Sequence, residues 1–129
     1  MKLDQTKKTI SDYESQGYLV GRVEGFASVR ATVSRDLWGI FDLIAVKPGA
    51  PPVAIQVTGA AGGHFAAHFR KMLSRTVPWR GQSLHVIQFL LSSGWDVRLE
   101  AWGFRTRKGE RYLAHRSHHF TREDIEDFT

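Results

Sequence analysis

The stretch GIFDLIAVKPGAPPVAIQVT, residues 39–58, decides how this chain folds. Two apolar runs flank a turn rich in proline and glycine, a pattern typical of two neighbouring strands joined by a tight connection. Asp42 is the one charged residue of the first run, and Gln56 and Thr58 are the polar residues of the second. Because burying an unpaired carboxylate costs several kcal/mol, we expect Asp42 to lie against Gln56 and Thr58.

Outward from this hairpin, hydrophobic periodicity predicts the other helices and strands. The predicted elements are a helix at 3–16, strands at 18–24, 38–46 and 53–58, helices at 64–74 and about 81–92, strands at 97–104 and 110–115, and a short acidic helix or tail at 121–129. Residues 25–35 are predicted as a loop or a short edge strand. This order predicts an α/β fold: a single domain over residues 1–129, with a central mixed β-sheet of about five strands flanked by helices.

Length and composition limit the class of protein. The 129 residues, 42% hydrophobic and 24% charged, suit one globular domain. No apolar run approaches the roughly 20 residues that span a bilayer, no apolar segment follows the charged start as in a secretory signal, and cysteine is absent. These features exclude disulfide frameworks and thiolate chemistry. They predict a cytoplasmic protein, of a bacterium or of a phage-infected cell, with no membrane partner.

Charge is distributed unevenly along the chain, whose net charge is +5. Residues 62–116 hold ten arginines and lysines against three acids, whereas residues 121–129 hold four acids and one arginine. A basic segment of this kind attracts a polyanion, and the phosphodiester backbone of a nucleic acid is the commonest one. Basic residues also serve solubility alone, so charge by itself leaves both explanations open.

The sequence GxxDLIAV from Gly39, followed by a turn and a strand of the form apolar-apolar-Gln-Val-Thr, resembles the core of the PD-(D/E)XK nuclease superfamily. The likeness is to Holliday junction resolvases of the archaeal type and to small phage proteins, over roughly residues 5–115. The resemblance implies a restriction-endonuclease-like core and a metal-dependent endonuclease acting on branched DNA such as a four-way junction. It also implies a homodimer, because two symmetric cuts need two active sites.

The resemblance assigns roles to individual residues. Asp42 stands at the family's aspartate and would bind Mg²⁺ or Mn²⁺, hard ions that take oxygen ligands. Gln56 stands at the family's second acid, where its carbonyl can still bind a metal without adding charge, and Thr58 stands at the family's lysine. For the family's first carboxylate we prefer Glu24, which strand pairing would bring beside Asp42, over Glu14 on the first helix.

Thr58 is the main departure from the family, because a hydroxyl cannot supply the positive charge that positions a nucleophile or stabilises the transition state. Arg70 or Lys71 of the next helix would have to supply that charge, or His68 would act on the attacking water. Otherwise the chain is a catalytically impaired nucleic-acid-binding module with a nuclease fold, or Gln56 and Thr58 are merely polar positions on a strand.

Seven basic residues are candidate DNA contacts. They lie before the Asp42 strand, on the helix after the third strand and at a predicted hairpin tip: Arg30, Arg35, Arg70, Lys71, Arg105, Arg107 and Lys108. Guanidinium groups match phosphate geometry in a bidentate way, although solvated side chains would give the same pattern. The four tryptophans are expected mostly in the core, but Trp79 lies in a predicted loop, where it can stack on a base or join a dimer contact.

Two groups of histidines have the spacing of metal ligands only in part. His64 and His68 share a helix face but lack an evident third ligand. His115, His118 and His119 are close in sequence, and we interpret them as a surface segment rather than a zinc site.

Overall fold

The computed structural model describes residues 4–23, 25–26, 34–60 and 63–128. These residues form helices and strands in the following order: α1 (Gln5–Ser15), β1 (Leu19–Arg22), β2 (Gly25–Phe26), β3 (Ser34–Arg35), β4 (Leu43–Val46), β5 (Val53–Gly59), α2 (His64–Ser74), β6 (Thr76–Trp79), β7 (Gln82–His85), α3 (Val86–Ser92), β8 (Asp96–Arg107), β9 (Glu110–His119) and α4 (Arg122–Phe128). The predicted α/β class is therefore confirmed.

Five strands form one mixed sheet in the order β1-β4-β5-β8-β9. The pairs β1/β4, β4/β5 and β8/β9 are antiparallel, whereas β5 and β8 run parallel. A parallel pair needs a long crossover, and here α2, the β6–β7 hairpin and α3 supply it. The predicted mixed sheet of five strands flanked by helices is confirmed, and β2/β3 and β6/β7 form two small additional ribbons.

The sheet separates two apolar layers. One layer lies under α1, and the other lies under α2 and α3. The α1 layer contains Tyr13, Tyr18, Leu43, Ala45, Val53 and Ile55, and the opposite layer includes Phe65, Met72, Ile87, Leu90, Val97 and Leu99. Because side chains alternate along a strand, β5 directs Ile55 toward α1 and directs Gln56 and Thr58 toward α2.

A buried polar network joins α1 to β8. The carboxylate of Glu100, a residue that is 3% exposed, accepts a 2.5 Å hydrogen bond from the Tyr13 hydroxyl and lies 2.8 Å from His115 Nε2. Arg98 Nη1 donates to the Tyr13 oxygen at 3.2 Å, and the Trp102 ring stacks on His115 with 3.9 Å between centroids. Burial, with the nearby Glu100 carboxylate, raises the pKa of Tyr13 well above its ordinary value. The phenol therefore stays a proton donor to Glu100.

The predicted helix at 81–92 is wrong over its first half. Residues 76–85 instead form the β6–β7 hairpin, and the helix begins only at Val86. Arg80 and Gly81 have φ values of 50° and 76°, as the two central residues of a type I′ hairpin turn require. Leu84 and Ile87 are three residues apart, as on one face of a helix. In the structure Leu84 belongs to β7 and Ile87 to α3, and the sequence alone does not distinguish the two arrangements.

Two other predicted boundaries differ from the structure. The strand predicted at 38–46 begins only at Leu43, because Trp38 and Gly39 turn the chain with φ values of 53° and 75°. The strands predicted at 97–104 and 110–115 extend through Arg107 and to His119. Their connection is therefore a two-residue turn and not the longer basic turn that the sequence predicts.

Gly109 allows this turn, and we expect its replacement to be costly. Gly109 has a φ of 78° with open space around its Cα, so an added Cβ meets backbone strain rather than a neighbour. We expect Gly109→Ala to lower the free energy of unfolding by about 1 kcal/mol, measured by urea denaturation. Gly21→Ala in β1 is the matched control, because its surroundings are equally open and its φ is ordinary. Equal effects of the two substitutions would contradict the strain argument.

Candidate functional site

Asp42 is held in the sheet by its backbone. Its N–H donates to the Ile55 carbonyl at 2.9 Å, and its carbonyl accepts from the Val23 N–H at 3.0 Å. The residue therefore lies between the end of β1 and the interior of β5, immediately before β4. With only 7% of its surface exposed, Asp42 is a buried acid at the edge of the apolar core.

The Asp42 carboxylate meets Gln56, as the hairpin pattern predicts. Its Oδ2 atom accepts a 3.0 Å hydrogen bond from Gln56 Nε2 and a 2.8 Å hydrogen bond from the Val57 N–H. A carboxylate oxygen can accept several such hydrogen bonds at once. Two neighbouring residues of β5 thus hold one oxygen of Asp42 with two donors.

The Gln56 amide is oriented so that its oxygen lacks a partner. Nε2 donates to Asp42 and to the Val57 carbonyl, at 3.0 and 3.2 Å. The reverse orientation would place the amide oxygen against two acceptors. Gln56 Oε1 is consequently buried and has no hydrogen-bond partner among the residues that the structure describes. A buried acceptor without a partner costs about 1–3 kcal/mol, so this position favours a cation or a donor beside Oε1.

These two residues suit a hard divalent cation. Mg²⁺ is typically bound through one or two carboxylates, with water and substrate oxygens completing its octahedron. Asp42 provides one carboxylate, and Gln56 Oε1 provides a carbonyl oxygen that lacks another partner. Over the described parts of the chain, however, no three His, Cys, Asp or Glu side chains converge as metal ligands. The oxygen atoms of Asp42 and Gln56 are ligands of the kind that Mg²⁺ and Mn²⁺ take.

Thr58 contacts a histidine of α2. Its hydroxyl lies 3.1 Å from His68 Nδ1, which also lies 2.9 Å from the His64 carbonyl oxygen. Because a carbonyl oxygen only accepts, Nδ1 must carry the proton, as assigned from this contact. Neutral His68 then keeps its lone pair on Nε2. Thr58 therefore positions a side chain that can accept a proton.

The two cations predicted to replace the lysine lie on different sides of α2. Residues on a helix are separated by about 100°, so Lys71 lies about 60° from His68 around the axis and Arg70 about 160° from it. Both side chains are exposed. Lys71 shares the flank of the helix with His68 and Thr58, whereas Arg70 points away from them. Lys71 is therefore the better placed of the two.

The structure places the other predicted site residues, two acids and the two arginines before the Asp42 strand, in different parts of the chain. Glu24 and Arg30 lie outside the described residues. Arg35 lies in β3, where it pairs with Gly25. Glu14 is exposed on α1, the helix that covers the opposite face of the sheet from Gln56, so the alternative carboxylate is on the wrong side for Asp42.

The β8–β9 hairpin continues beyond the sheet as a basic arm, residues 103–114. β5 pairs with β8 only as far as Trp102, so the arm is a two-stranded ribbon. Arg105 and Arg107 lie on its first strand, and Lys108 lies in its turn with a φ of 53°. Arg105 Nη2 donates to the Ala60 carbonyl at 3.0 Å, which connects the arm to the end of β5. Of the three cations predicted at a hairpin tip, only Lys108 lies in the turn, and the other two lie along the first strand of the arm.

The sequence-based list of cations omits Arg111 of the basic arm. Its guanidinium lies 4.0 Å from the centroid of the Phe104 ring on the paired strand. A cross-strand cation–π contact orders the arginine on the ribbon surface. Phe104 and Arg111 are brought together by the register of β8 and β9, which depends on the two-residue turn. The sequence alone therefore does not predict this contact.

The histidines of β9 do not form one cluster. His115 faces Glu100 under α1, whereas His118 lies 2.9 Å from Asp124 of α4 on the other side of the sheet. Burial, with the nearby Arg98 guanidinium, lowers the pKa of His119. The interpretation that these three residues are not a zinc site agrees with this separation.

Comparison with protein-family models, with curated proteins and with solved structures found no match for the chain. Within the described ranges, no helix has both the length and the apolar character needed to cross a bilayer. The function is therefore inferred from the residues of the site and from the motif that they form.

Proposed function

We propose that this protein is a metal-dependent DNA endonuclease of the PD-(D/E)XK type that acts on branched DNA as a homodimer. The observation that carries the proposal is the pairing of the buried Asp42 carboxylate with Gln56, whose Oε1 atom lacks a partner among the described residues. This pair belongs to the motif that resembles the nuclease core. A nuclease of this kind would act in the cytoplasm of a bacterium or of a phage-infected cell, where its DNA substrate is found.

The order of elements along the chain supports the resemblance. Gly17 and Tyr18 follow α1, and α2 with its basic residues follows β5, the third strand of the central sheet along the chain. Val23, the residue before Glu24, bonds to the Asp42 backbone. The family's first carboxylate is therefore assigned to Glu24 in this proposal.

Asp42, Gln56 and Glu24 would hold the Mg²⁺ or Mn²⁺ ion. When bound, such an ion coordinates a phosphate oxygen, lowers the pKa of the attacking water and offsets charge in the transition state. Gln56 contributes no charge to this set. The site thus relies on its carboxylates for electrostatic attraction, and we expect weak metal binding.

Two residues of α2 would replace the family's lysine. His68 Nε2, free of the proton that Nδ1 carries, can accept a proton from the attacking water. Lys71, on the same flank of α2, would supply positive charge near the phosphate. Thr58 holds His68 through its hydroxyl, which gives this residue a positioning role.

DNA would bind along the basic arm and α2. The arm carries Arg105, Arg107, Lys108 and Arg111 against the single acid Glu110. Its attachment at Ala60 places these cations at the same end of the sheet as Thr58. Each phosphate that they neutralise makes binding more sensitive to salt, so we expect affinity for DNA to fall steeply as salt is raised.

The second candidate is a nucleic-acid-binding module with the nuclease fold but without catalysis. The observation that favours it is the Thr58–His68 contact, which occupies the position where the family has a charged lysine. In this alternative, the basic arm binds DNA and Asp42 serves only to stabilise the hairpin.

A cleavage assay on a four-way junction tests both candidates. We expect the junction to be bound in EDTA and cut only after Mg²⁺ or Mn²⁺ is added, with duplex DNA of the same sequence as the control substrate. Sedimentation velocity on the same sample measures whether the protein is a dimer. Binding without cleavage in either metal would support the binding module, and absence of binding near physiological salt would contradict both candidates.

A further inference from the structure

An apolar groove lies between the turn around Trp38, the β6–β7 hairpin and α3. Its volume is about 360 Å³, and its lining includes Trp38, Val77, Trp79, Leu84, Phe89 and Leu90. In the part of the chain that the structure describes, no charged side chain lines it. A concave apolar site of this size is typical of ligand pockets rather than of ordinary surface.

The aromatic rings of the groove are unusually accessible. Trp38 is 40% exposed, and Trp79 and Phe89 are each 43% exposed. The Trp79 and Phe89 rings lie 5.6 Å apart with an interplanar angle of 54°. The expectation that Trp38 lies in the core is wrong, because the turn directs its ring to the surface. The groove therefore presents ring surface to solvent from three separate parts of the chain: the turn at Trp38, β6 and α3.

Trp38 also has a backbone conformation that is rare for a large residue. Its φ of 53° lies in the left-handed region, which costs a non-glycine residue of this size on the order of 1–2 kcal/mol. Full burial of the indole does not offset this cost, since the ring is exposed. An exposed ring held at a conformational cost indicates a role other than core packing.

Arginines border the groove at two places. The Arg80 guanidinium lies 4.7 Å from the centroid of the Trp79 ring. The Arg75 guanidinium lies against Gly39, the residue after Trp38, where an added Cβ would come within 3.1 Å of it. The groove thus combines aromatic surface with one guanidinium on the Trp79 ring and another against Gly39, the backbone neighbour of Trp38. Rings that stack on bases, beside cations that attract phosphates, are the combination used by proteins that bind single strands.

We propose that this groove binds an unpaired nucleobase, with the neighbouring phosphates at Arg80 and Arg75. The inference rests on the proposed function in one respect, since it takes nucleic acid as the partner. It adds the part of the substrate that is recognised: a single-stranded or unpaired nucleotide, such as a branch exposes. It also gives a role to Trp79, which is remote in sequence from the Asp42 motif.

A second copy of this chain is a poorer occupant for the groove. In a two-fold symmetric dimer, the same patch faces itself. The Arg75 and Arg80 side chains of one protomer would then approach those of the other, with no carboxylate in the described lining to compensate them. A nucleotide carries the opposite charge and a flat ring, so it complements both features.

The groove is joined to the Asp42 site through one aromatic contact. The Trp38 and Phe41 rings meet edge to face, with centroids 6.2 Å apart. Phe41 is fully buried and immediately precedes Asp42. A base bound against Trp38 would therefore lie at the start of residues 38–42, whose last residue is the candidate metal ligand Asp42.

A pair of single-stranded DNAs tests the proposal. One is a run of thymidines, and the other has the same number of phosphates with abasic sugars. Measured in EDTA by fluorescence anisotropy, the wild-type protein should bind the thymidine strand about tenfold more tightly. Trp79→Ala and Phe89→Ala should each reduce this preference severalfold and leave affinity for the abasic strand unchanged. Phe128→Ala, which alters an equally exposed ring on α4, is the matched control.

Four outcomes would overturn the proposal, and each of them differs from a loss of cleavage alone. Equal affinity of the wild type for both strands, or a preference that survives both groove substitutions, means that DNA binding stands while the groove has no part in it. Conversion of a dimer to a monomer by Trp79→Ala makes the groove a subunit contact. Binding of neither strand contradicts the nucleic-acid partner itself, whereas base-dependent binding without cleavage of any DNA leaves the groove proposal intact.

Discussion

Asp42→Asn is expected to reduce metal-dependent cleavage of branched DNA by a factor of at least about 100, while DNA affinity stays unchanged. A bound divalent ion contributes several kcal/mol of charge stabilisation in the transition state, and each 1.4 kcal/mol is a factor of ten in rate. Asparagine has nearly the shape of aspartate, and its amide oxygen can accept from Gln56 and Val57 as Oδ2 does. The substitution therefore removes the charge and leaves the hairpin.

The measurement is the single-turnover cleavage rate in Mg²⁺, with binding followed separately in EDTA. Asp127→Asn on α4 is the matched control, because Asp127 is exposed and belongs to an element outside the site. Cleavage by Asp42→Asn at the wild-type rate would contradict the assignment of Asp42 as a metal ligand. Loss of DNA binding in the same variant would instead indicate a structural role.

Glu100→Ala is expected to lower the free energy of unfolding by about 3 kcal/mol. Removing the carboxylate leaves the Tyr13 hydroxyl and His115 Nε2 without the acceptor that both now contact. The Tyr13 side chain is almost fully buried, so water cannot easily replace that acceptor. The change also opens a cavity between α1 and β8, which adds to the loss.

Urea denaturation followed by circular dichroism measures this loss. Glu110→Ala, at the exposed end of the basic arm, removes an acid of the same type without burial and should change stability by less than about 0.5 kcal/mol. Glu100→Gln should fall between the two, because an amide oxygen can still accept from Tyr13. Stability of Glu100→Ala equal to that of Glu110→Ala would contradict a structural role for the network.

The part of the site that could be predicted from sequence is local. Asp42 and Gln56 are 14 residues apart, and the apolar runs around them are unmistakable as paired strands. A polar residue in such an apolar strand is most easily satisfied by a polar residue of the strand that pairs with it. Helix α2 was equally accessible to prediction, since its apolar stripe and its flanking glycine determine the bounds His64–Ser74 that the structure has.

The parts that could not be predicted depend on distant packing. Arg98, Glu100 and Trp102 alternate with apolar residues, as on a strand with one face in water. In the structure α1 covers that face and buries Glu100. The groove is hidden for a related reason: Trp38 lies in a turn and Trp79 in β6, and only the fold brings them together.

The Tyr13–Glu100 contact has a consequence for the order of folding during synthesis. The two residues are 87 positions apart, and Thr9 and Trp102 are 93 apart. An isolated helix of 11 residues is marginal in water, and before β8 leaves the ribosome α1 can pack only on the earlier strands through Leu43, Val53 and Ile55. The Asp42 hairpin needs no such delay. Contacts this distant slow folding, and a nascent chain stalled before residue 100 would leave Tyr13 and Thr9 without their hydrogen-bond partners Glu100 and Trp102.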